Sequence, residues 1–152
     1  MKAAVWEGPY KLSLKDVERP VPGDGEVLVR TEAVGICGSD LEVFDGRFKQ
    51  TVPPMIIGHE GGGIVESVGQ GVTEVSPGDR VIVECLLYCG KCINCRTGMY
   101  NLCSEHKVIG MIGHDGEYAE YFVAPERNVY TLPDNITWPE AGLIDTLAGP
   151  VA

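Results

Sequence analysis

The sequence lacks the features that would direct a protein to a membrane or to nucleic acid. No apolar run in its 152 residues approaches the roughly 20 residues of a membrane-spanning helix. Residues 1–8 contain one lysine but no apolar stretch, so we expect no secretory signal there. The 12 Lys and Arg residues form no cluster, and the 22 Asp and Glu residues bring the net charge to −10, which would repel phosphate backbones. We therefore expect a cytoplasmic protein that binds neither membranes nor nucleic acid.

The glycine fingerprint of a dinucleotide-binding unit is also missing. That fingerprint requires a strand, the pattern G-x-G-x-x-G, a helix and a later acidic residue. Gly61-Gly62-Gly63 leads instead into a predicted strand, and Gly69-Gln70-Gly71 lies in a predicted turn. Both glycine runs are better explained by tightly packed backbone, so we expect no nucleotide site in this chain.

What is present is the pattern of a small β-rich domain. The length suits one domain with a substantial core, and 20 glycines and 10 prolines spread along the chain favour short strands joined by turns. Alternating or apolar segments bounded by turn residues predict strands at Lys2–Trp6, Leu12–Val17, Glu26–Ile36, Ile64–Val68, Arg80–Glu84, Tyr118–Ala124 and Asn128–Leu132. Short helices are predicted at Gly38–Asp45, with Ser39 or Asp40 near the N-cap, and at about Pro139–Leu147, with Thr137 as N-cap. The prediction is a mostly antiparallel β domain with a barrel-like sheet.

Four cysteines form the most specific motif in the chain. Cys89, Cys92, Cys95 and Cys103 follow the spacing C-x2-C-x2-C-x7-C within a lobe of about residues 85–103. Four thiolates can close a tetrahedron around zinc without leaving room for water, which is the structural kind of zinc site. An iron–sulfur cluster and free thiols are the alternatives, although the run lacks the C-x3-C-P continuation of ferredoxins. Cys85 lies outside the spacing, and we interpret it as a small buried hydrophobic residue.

A second constellation consists of Cys37, His59 and Glu60. A thiolate and a neutral imidazole are ligands that zinc accepts, and open catalytic zinc sites use three protein ligands and a water molecule. Spacing alone leaves two interpretations open, because a lone histidine beside a glycine run is also common as a purely structural residue.

The motifs together resemble those of the zinc-dependent medium-chain alcohol and polyol dehydrogenases. The resemblance is carried by Gly58-His59-Glu60-Gly61, by Cys37-Gly38-Ser39-Asp40 and by the four-cysteine lobe, in that family's order. It extends from Lys2-Ala3-Ala4 through Gly78-Asp79-Arg80-Val81 to the last residues, and so covers essentially the whole chain. It implies a GroES-like catalytic domain, which is mainly β with short helices and forms a partly open β-barrel.

The resemblance also implies roles for individual residues. Cys37 and His59 match ligands of a catalytic zinc, and Glu60 matches a neighbouring carboxylate that can exchange with water on the metal. Ser39 matches the hydroxyl that hydrogen-bonds the substrate oxygen and passes on its proton. Asp40 matches the carboxylate that orients the histidine ligand. Zinc would polarise the alcohol, and the alkoxide would release a hydride to a nicotinamide.

Two positions of this site depart from the commonest pattern of the family. No cysteine follows Cys103, so a Cys/His/Cys zinc site is excluded. In the polyol and threonine branches a late carboxylate takes that place, and residues 141–148 match that segment, which makes Asp145 the candidate third ligand. A solvated helix residue is the alternative interpretation of Asp145. Many relatives place a histidine five residues after the cysteine ligand as the proton exit, whereas this chain has Glu42, so the proton would leave through Glu42 or through water.

The resemblance implies that residues 1–152 form a catalytic domain without its nucleotide-binding domain. The full-length enzyme would use NAD or NADP and a small alcohol or polyol, hold one catalytic and one structural zinc, and form a homo-oligomer. We predict that the isolated chain binds zinc but does not oxidise alcohols with a nicotinamide cofactor. Detectable cofactor reduction by this chain alone would contradict that prediction.

Two other classes of function are alternatives to a dehydrogenase domain. A non-catalytic zinc module acting in protein interaction would need only the closed cysteine site, and it would hold one zinc per chain instead of two. A thiol-redox protein is the third class. It is disfavoured because clustered zinc thiolates are protected, and free-thiol titration with zinc bound would distinguish it.

Overall fold

The structure is a computed structural model that describes the backbone of residues 1–151 and the side chains of residues 1–148. Strands predominate, and helices are short. The elements in chain order are β1 (Lys2–Gly8), β2 (Lys11–Asp16), β3 (Glu26–Val34), α1 (Gly38–Phe44), β4 (Met55–Ile56), β5 (Gly61–Val68), β6 (Arg80–Val83), β7 (Leu86–Leu87), α2 (Ile93–Arg96), β8 (Lys107–Ile109), β9 (Gly113–His114), β10 (Tyr121–Pro125), β11 (Val129–Thr131), α3 (Trp138–Ala141) and α4 (Ile144–Val151). Two short 3-10 turns lie at Tyr100–Leu102 and Glu126–Asn128.

Across residues 1–151 the strands form three sheets. The largest has the order β10-β3-β5-β6-β11, a second has the order β2-β1-β4, and a third, β7-β8-β9, lies next to the cysteine lobe. Every pairing is antiparallel except that of β8 with β9. In this part of the chain none of the sheets closes on itself. The predicted class, mainly antiparallel β with short helices, is therefore confirmed.

The core forms where the side chains of the largest sheet meet β7 and β8. Val27 and Val29 alternate along β3 and are fully buried, as expected for residues two apart on one face of a strand. The whole cluster comprises Val27, Val29, Val65, Val75, Val81, Val83, Leu87, Ile109, Phe122, Ala124 and Val129. Burial of each valine side chain contributes about 1.5–3 kcal/mol before entropy is counted, so this cluster anchors the central strands.

All seven predicted strands are present, with ends that differ by a few residues. The largest differences are at the start of β10, which begins at Tyr121 and not at Tyr118, and at the start of β5, which begins at Gly61 and not at Ile64. Tyr118 leaves the sheet because its N–H donates to the carbonyl of Ile57 at 2.9 Å. β5 begins at Gly61, so the glycine run lies inside the strand and does not merely precede it.

The junctions of β3 with α1 and of β4 with β5 position the candidate site. β3 and β5 pair as far as Val34 opposite Gly61, and the N–H of Gly35 donates to the carbonyl of Glu60 at 2.8 Å. This pairing places the start of α1 beside the segment that holds His59. Cys37 itself is the N-cap of α1, and Asp40, in the first turn, accepts the N–H of Cys37 at 2.9 Å, which agrees with the prediction that Ser39 or Asp40 lies near the N-cap.

The single helix predicted near Pro139–Leu147 is two helices. Thr137 donates its N–H and its hydroxyl to the Glu140 carboxylate at 2.8 and 2.7 Å, which confirms the predicted N-cap. The first helix stops at Ala141 with Gly142 as its C-cap, and the second starts at Ile144. None of the helices within residues 1–151 has the length and apolar character needed to cross a membrane.

Candidate metal centres

The four cysteines of the lobe converge on one point. The sulfur atoms of Cys89, Cys92, Cys95 and Cys103 all lie within 4.8 Å of one another. Cys92 and Cys95 are separated by 3.5 Å and Cys89 and Cys95 by 4.0 Å, sulfur to sulfur. Ligands 2.3 Å from a zinc ion at the centre of a regular tetrahedron would be about 3.8 Å apart, whereas a disulfide needs about 2.0 Å. The spacing therefore fits a tetrahedral metal site.

Backbone amides surround these sulfur atoms and favour their thiolate form. Cys103 Sγ accepts the N–H groups of Cys89 and Glu105 at 3.3 and 3.4 Å, and Cys89 Sγ accepts that of Cys92 at 3.4 Å. The amides of Cys95 and Ser104 lower the pKa of Cys92 to about 6, whereas burial and the neighbouring Cys92 sulfur raise the pKa of Cys95 to about 12. Several adjacent thiolates repel one another unless a cation lies between them, so the donor set suits a bound metal better than free thiols.

Cys85 does not join this cluster. It packs against the main core, and burial raises the pKa of its thiol to about 12. A thiol that stays protonated is neither a good nucleophile nor a good metal ligand.

The second constellation forms where α1 begins and β5 begins. Cys37, His59 and Glu60 offer ligand atoms that all lie within 4.8 Å of one another. His59 is 5% exposed, whereas Cys37 and Glu60 are half-buried. The site therefore has a buried side, formed by the histidine, and a side that faces outwards.

Asp40 sets the orientation and charge of His59. Its Oδ1 lies 3.3 Å from His59 Nδ1, which leaves Nε2 as the nitrogen available to a metal. Although burial opposes its charge, His59 and the Cys37 amide hold the pKa of Asp40 below its usual range. Burial likewise opposes protonation of His59, yet Asp40 and Cys37 raise the pKa of His59 to about 9. The negative charges that favour an imidazolium would also favour a cation beside the neutral ring.

Ser39 and Glu42 both lie on α1, about one helical turn apart. Ser39 Oγ lies 3.3 Å from His59 Nε2, on the side of the ring that would face a metal. Glu42 lies one turn further along the helix, and its half-exposed carboxylate is 3.7 Å from the Arg47 guanidinium. The helix therefore leads from the candidate metal to solvent.

Asp145 lies near this site but outside the group of close ligand atoms. It sits in the first turn of α4, and the next residue, Thr146, donates its hydroxyl to Glu60 Oε1 at 3.0 Å. Burial raises the pKa of Asp145, the charge of His59 opposes this, and the Glu60 carboxylate adds to it. The hydrogen bond from Thr146 to Glu60 places the start of α4 beside the site, and the role of Asp145 as third ligand stays a prediction.

Tyr118 belongs to the site, although sequence reasoning assigned it only to a strand. Its hydroxyl lies 2.8 Å from Asp40 Oδ2 and 2.9 Å from the carbonyl oxygen of Gly35. Burial, and then the Asp40 carboxylate, raises the pKa of Tyr118, so the hydroxyl remains a donor. No local sequence pattern predicts this contact, because it joins positions 78 residues apart.

Glu117 is the other residue that the sequence did not reveal. It is fully buried, and neither of its carboxylate oxygens has a hydrogen-bond partner within the described part of the chain. A Cβ on Gly61 would lie 2.6 Å from Glu117 Oε2, so the carboxylate packs directly on the strand that follows Glu60. Burial raises the pKa of Glu117 to about 8, against the opposing influence of His59. Near neutral pH the folded protein therefore holds this group in its protonated form.

We expect Glu117→Gln to remove a pH dependence of stability. Between about pH 5 and pH 8 the folded state keeps a proton on Glu117 that the unfolded chain has lost, so the free energy of unfolding falls as pH rises. At about 1.4 kcal/mol per pKa unit, the fall is on the order of a few kcal/mol. Urea unfolding at the two ends of this pH range, on chains that each hold one zinc ion, measures the effect. The midpoint of unfolding should differ between the two pH values for the native sequence and should change much less for the variant.

The matched control is Glu120→Gln, which neutralises an exposed carboxylate three residues along the chain. This variant should keep the pH dependence of the native sequence. Equal pH dependence in the Glu117→Gln variant and the native sequence would contradict the prediction.

Known proteins match this chain over most of its length. Residues 23–134 match the family model of the alcohol dehydrogenase GroES-like domain. An L-threonine 3-dehydrogenase from Pyrococcus furiosus is 42% identical over 94% of this chain, which corresponds to 44% of that enzyme. The chain thus spans less than half the length of this curated relative.

Solved structures agree with the match. A thermostable alcohol dehydrogenase from Pyrobaculum aerophilum, bound to cobalt and zinc, is 39% identical with a TM-score of 0.87, over 95% of this chain and 44% of that one. An alcohol dehydrogenase from Escherichia coli CFT073, complexed with NADH, is 37% identical with a TM-score of 0.88, over 95% of this chain and 42% of that one. With the family model matching well over half of the residues, the chain belongs to the alcohol dehydrogenase GroES-like domain family.

Proposed function

We propose that this chain is the zinc-binding catalytic domain of a nicotinamide-dependent alcohol or polyol dehydrogenase. The observation that carries the proposal is the convergence of Cys37, His59 and Glu60 within 4.8 Å, separate from the closed four-cysteine cluster. A closed site and an open site in one domain correspond to the structural and catalytic kinds of zinc.

The donor set of the open site fits zinc. A thiolate, an imidazole whose other nitrogen faces a buried carboxylate, and a half-buried carboxylate are the ligand types of catalytic zinc. A zinc ion held by Cys37 and His59 would polarise an alcohol and lower the pKa of its hydroxyl. Asp40 would keep the His59 ring in the orientation and tautomer that present Nε2.

Ser39 would accept the alcohol proton and pass it towards solvent. Its hydroxyl lies beside His59 Nε2, within reach of a group that occupies the open face of the site. Glu42 stands one turn further along α1 and is half-exposed, so its carboxylate can receive the proton and release it to water. Loss of this proton prepares the substrate carbon to give up hydride to NAD or NADP.

Either Glu60, Asp145 or water would complete the ligand set. Glu60 is the carboxylate whose oxygen lies within 4.8 Å of the Cys37 and His59 ligand atoms. Thr146 donates a hydrogen bond to one Glu60 oxygen and leaves the other free. Asp145 precedes Thr146 on α4, so a small rearrangement of this helix would change which carboxylate faces the metal. A zinc-loaded crystal structure would distinguish the three arrangements.

The full-length enzyme would act on a small alcohol or polyol, form a homo-oligomer and reside in the cytoplasm. The names of the relatives, an L-threonine 3-dehydrogenase and two alcohol dehydrogenases, support a small hydroxyl-bearing substrate. A reducing compartment suits the cysteines, which are all free thiols in the described part of the chain.

Metal analysis tests the proposal. The native chain should bind two zinc ions, and Cys37→Ser should bind one, because this change removes a ligand from the open site only. Cys85→Ser is the matched control, since it removes a thiol that lies outside both clusters, and it should still bind two. One zinc per native chain, unchanged by Cys37→Ser, would refute a catalytic metal site.

The second candidate is a zinc module that acts in protein interaction. The cysteine lobe favours it in one respect, because its side chains Ile93, Met99, Tyr100 and Leu102 are 40–72% exposed. This function would need only the closed site, so it predicts the single zinc that would refute the first proposal.

A further inference from the structure

We propose that Tyr118 is a positioning residue for the metal site at Cys37 and His59. Its backbone and ring hold the segment that carries His59, and its hydroxyl holds the segment that carries Cys37. The inference rests on the proposed function, because it assumes that these two residues bind a metal. It adds to that function a residue that lies in neither of the metal-binding motifs.

Tyr118 contacts the segment that carries His59 at Gly58. The N–H of Tyr118 donates to the carbonyl of Ile57 at 2.9 Å, which ties the two segments together. Gly58 has a φ of +95°, and a Cβ on it would lie 2.6 Å from the aromatic ring. The ring therefore packs directly on the backbone that leads into His59. This contact limits where the imidazole can lie.

The Tyr118 hydroxyl contacts the segment that carries Cys37. Tyr118 Oη lies 2.9 Å from the carbonyl oxygen of Gly35 and 2.8 Å from Asp40 Oδ2, so one donor serves two acceptors. Gly35 lies two residues before Cys37, and Asp40 lies three residues after it. The hydroxyl thus fixes the turn that presents the thiolate from both of its sides.

Asp40 transmits the same restraint to the histidine. Oδ2 accepts both the Tyr118 hydroxyl and the Cys37 N–H, and this arrangement leaves Oδ1 3.3 Å from His59 Nδ1. Asp40 is only 3% exposed, so water cannot readily replace a lost donor. Without the hydroxyl, the carboxylate would be freer to rotate, and both metal ligands would lose a restraint.

Tyr118→Phe isolates the hydroxyl, because phenylalanine keeps the ring and the backbone contacts. Removal of groups that orient metal ligands typically lowers metal affinity about 10–100-fold, and we expect a loss of that size at the open site. The four-cysteine site should retain its metal, since Tyr118 does not contact it. Tyr121→Phe is the matched control: this tyrosine lies on β10 with Arg19 over its ring, 3.9 Å from the centroid, and away from both sites.

The experiment titrates Co²⁺ into chains that already hold one equivalent of Zn²⁺. The thiolate–cobalt absorption band reports binding at Cys37, and its position reports the ligand geometry. We expect a weaker affinity and a shifted band for Tyr118→Phe, with Tyr121→Phe unchanged. In an Asp40→Asn background the effect of Tyr118→Phe should shrink, because the hydroxyl acts through that carboxylate.

The outcomes separate this inference from the proposed function. Native affinity and an unshifted band in Tyr118→Phe would overturn the inference alone, because the native chain would still bind its second metal. Equal loss of Zn²⁺ and Co²⁺ from the variant would also overturn it, by showing a general loss of stability. If the native chain gave no cobalt–thiolate band, the proposed function would fail, and this inference with it.

Discussion

Cys103→Ser is expected to abolish metal binding in the cysteine lobe and to unfold that lobe locally. Cys103 is 2% exposed, and its sulfur accepts amides from Cys89 at one end of the lobe and from Glu105 at the other. The apolar side chains Ile93 and Leu102 are 72% and 57% exposed, so the lobe has little core of its own. Small metal lobes without such a core depend on the metal for their fold.

Two measurements check this result. Metal analysis should find one zinc fewer per chain, because the change removes one of the four cysteine ligands of the lobe. Hydrogen exchange should show lost protection of amides between Cys89 and Cys103, while the β3–β5 ladder keeps its protection.

Cys37→Ser is the matched control, because it removes a cysteine ligand from the other site and should leave lobe protection intact. A lobe that stays protected in the metal-depleted Cys103→Ser variant would show that hydrogen bonds alone hold it. That outcome would contradict a structural role for the metal.

The two metal centres differ in how far the sequence could predict them. The ligands of the lobe lie within 15 residues, and short loops restrict where each thiolate can point, so spacing alone identifies the cluster. Cys37 and His59 are brought together by the pairing of β3 with β5, which no local pattern specifies. Their assignment therefore depended on a resemblance to a known family.

The same distinction applies to the fold. Strands of five or more residues show an alternation that the sequence reveals, and both β3 and β5 were expected. The missed strands, β4, β7, β8 and β9, have two or three residues each, too few for a period of two to be visible; β11 is as short, but it was predicted as part of the longer segment 128–132. They exist because neighbouring strands offer them hydrogen bonds, which is a property of the tertiary structure.

Tyr118 and Glu117 show what remains beyond sequence reasoning. They are adjacent in sequence, but one directs its hydroxyl to Asp40 and the other buries a carboxylate against Gly61. Acidic residues are mostly exposed to solvent, so the residue type alone does not predict the burial of Glu117. Only the packing of β5 against this segment makes the burial evident, and it places the Glu117 carboxylate against Gly61, the residue that follows Glu60.

Gly63→Ala is expected to destabilise the whole domain by more than about 3 kcal/mol. Gly63 lies in β5, opposite Thr31 of β3 and Val81 of β6. A Cβ at this position would lie 1.9 Å from the carbonyl oxygen of Arg30 and 2.8 Å from its carbonyl carbon, and both are backbone atoms. A side-chain rotation cannot relieve such a clash, so β3 must separate from β5.

The consequence should extend to the open metal site, because the same ladder brings the ends of β3 and β5 together. Urea unfolding of the zinc-loaded protein measures the change in free energy. Gly38→Ala is the matched control: a Cβ there meets no atom within 4 Å, and alanine favours the helix that begins at this residue, so stability should change by less than about 1 kcal/mol. Equal urea midpoints for the two variants would show that β3 and β5 are further apart at Gly63 than the structure places them.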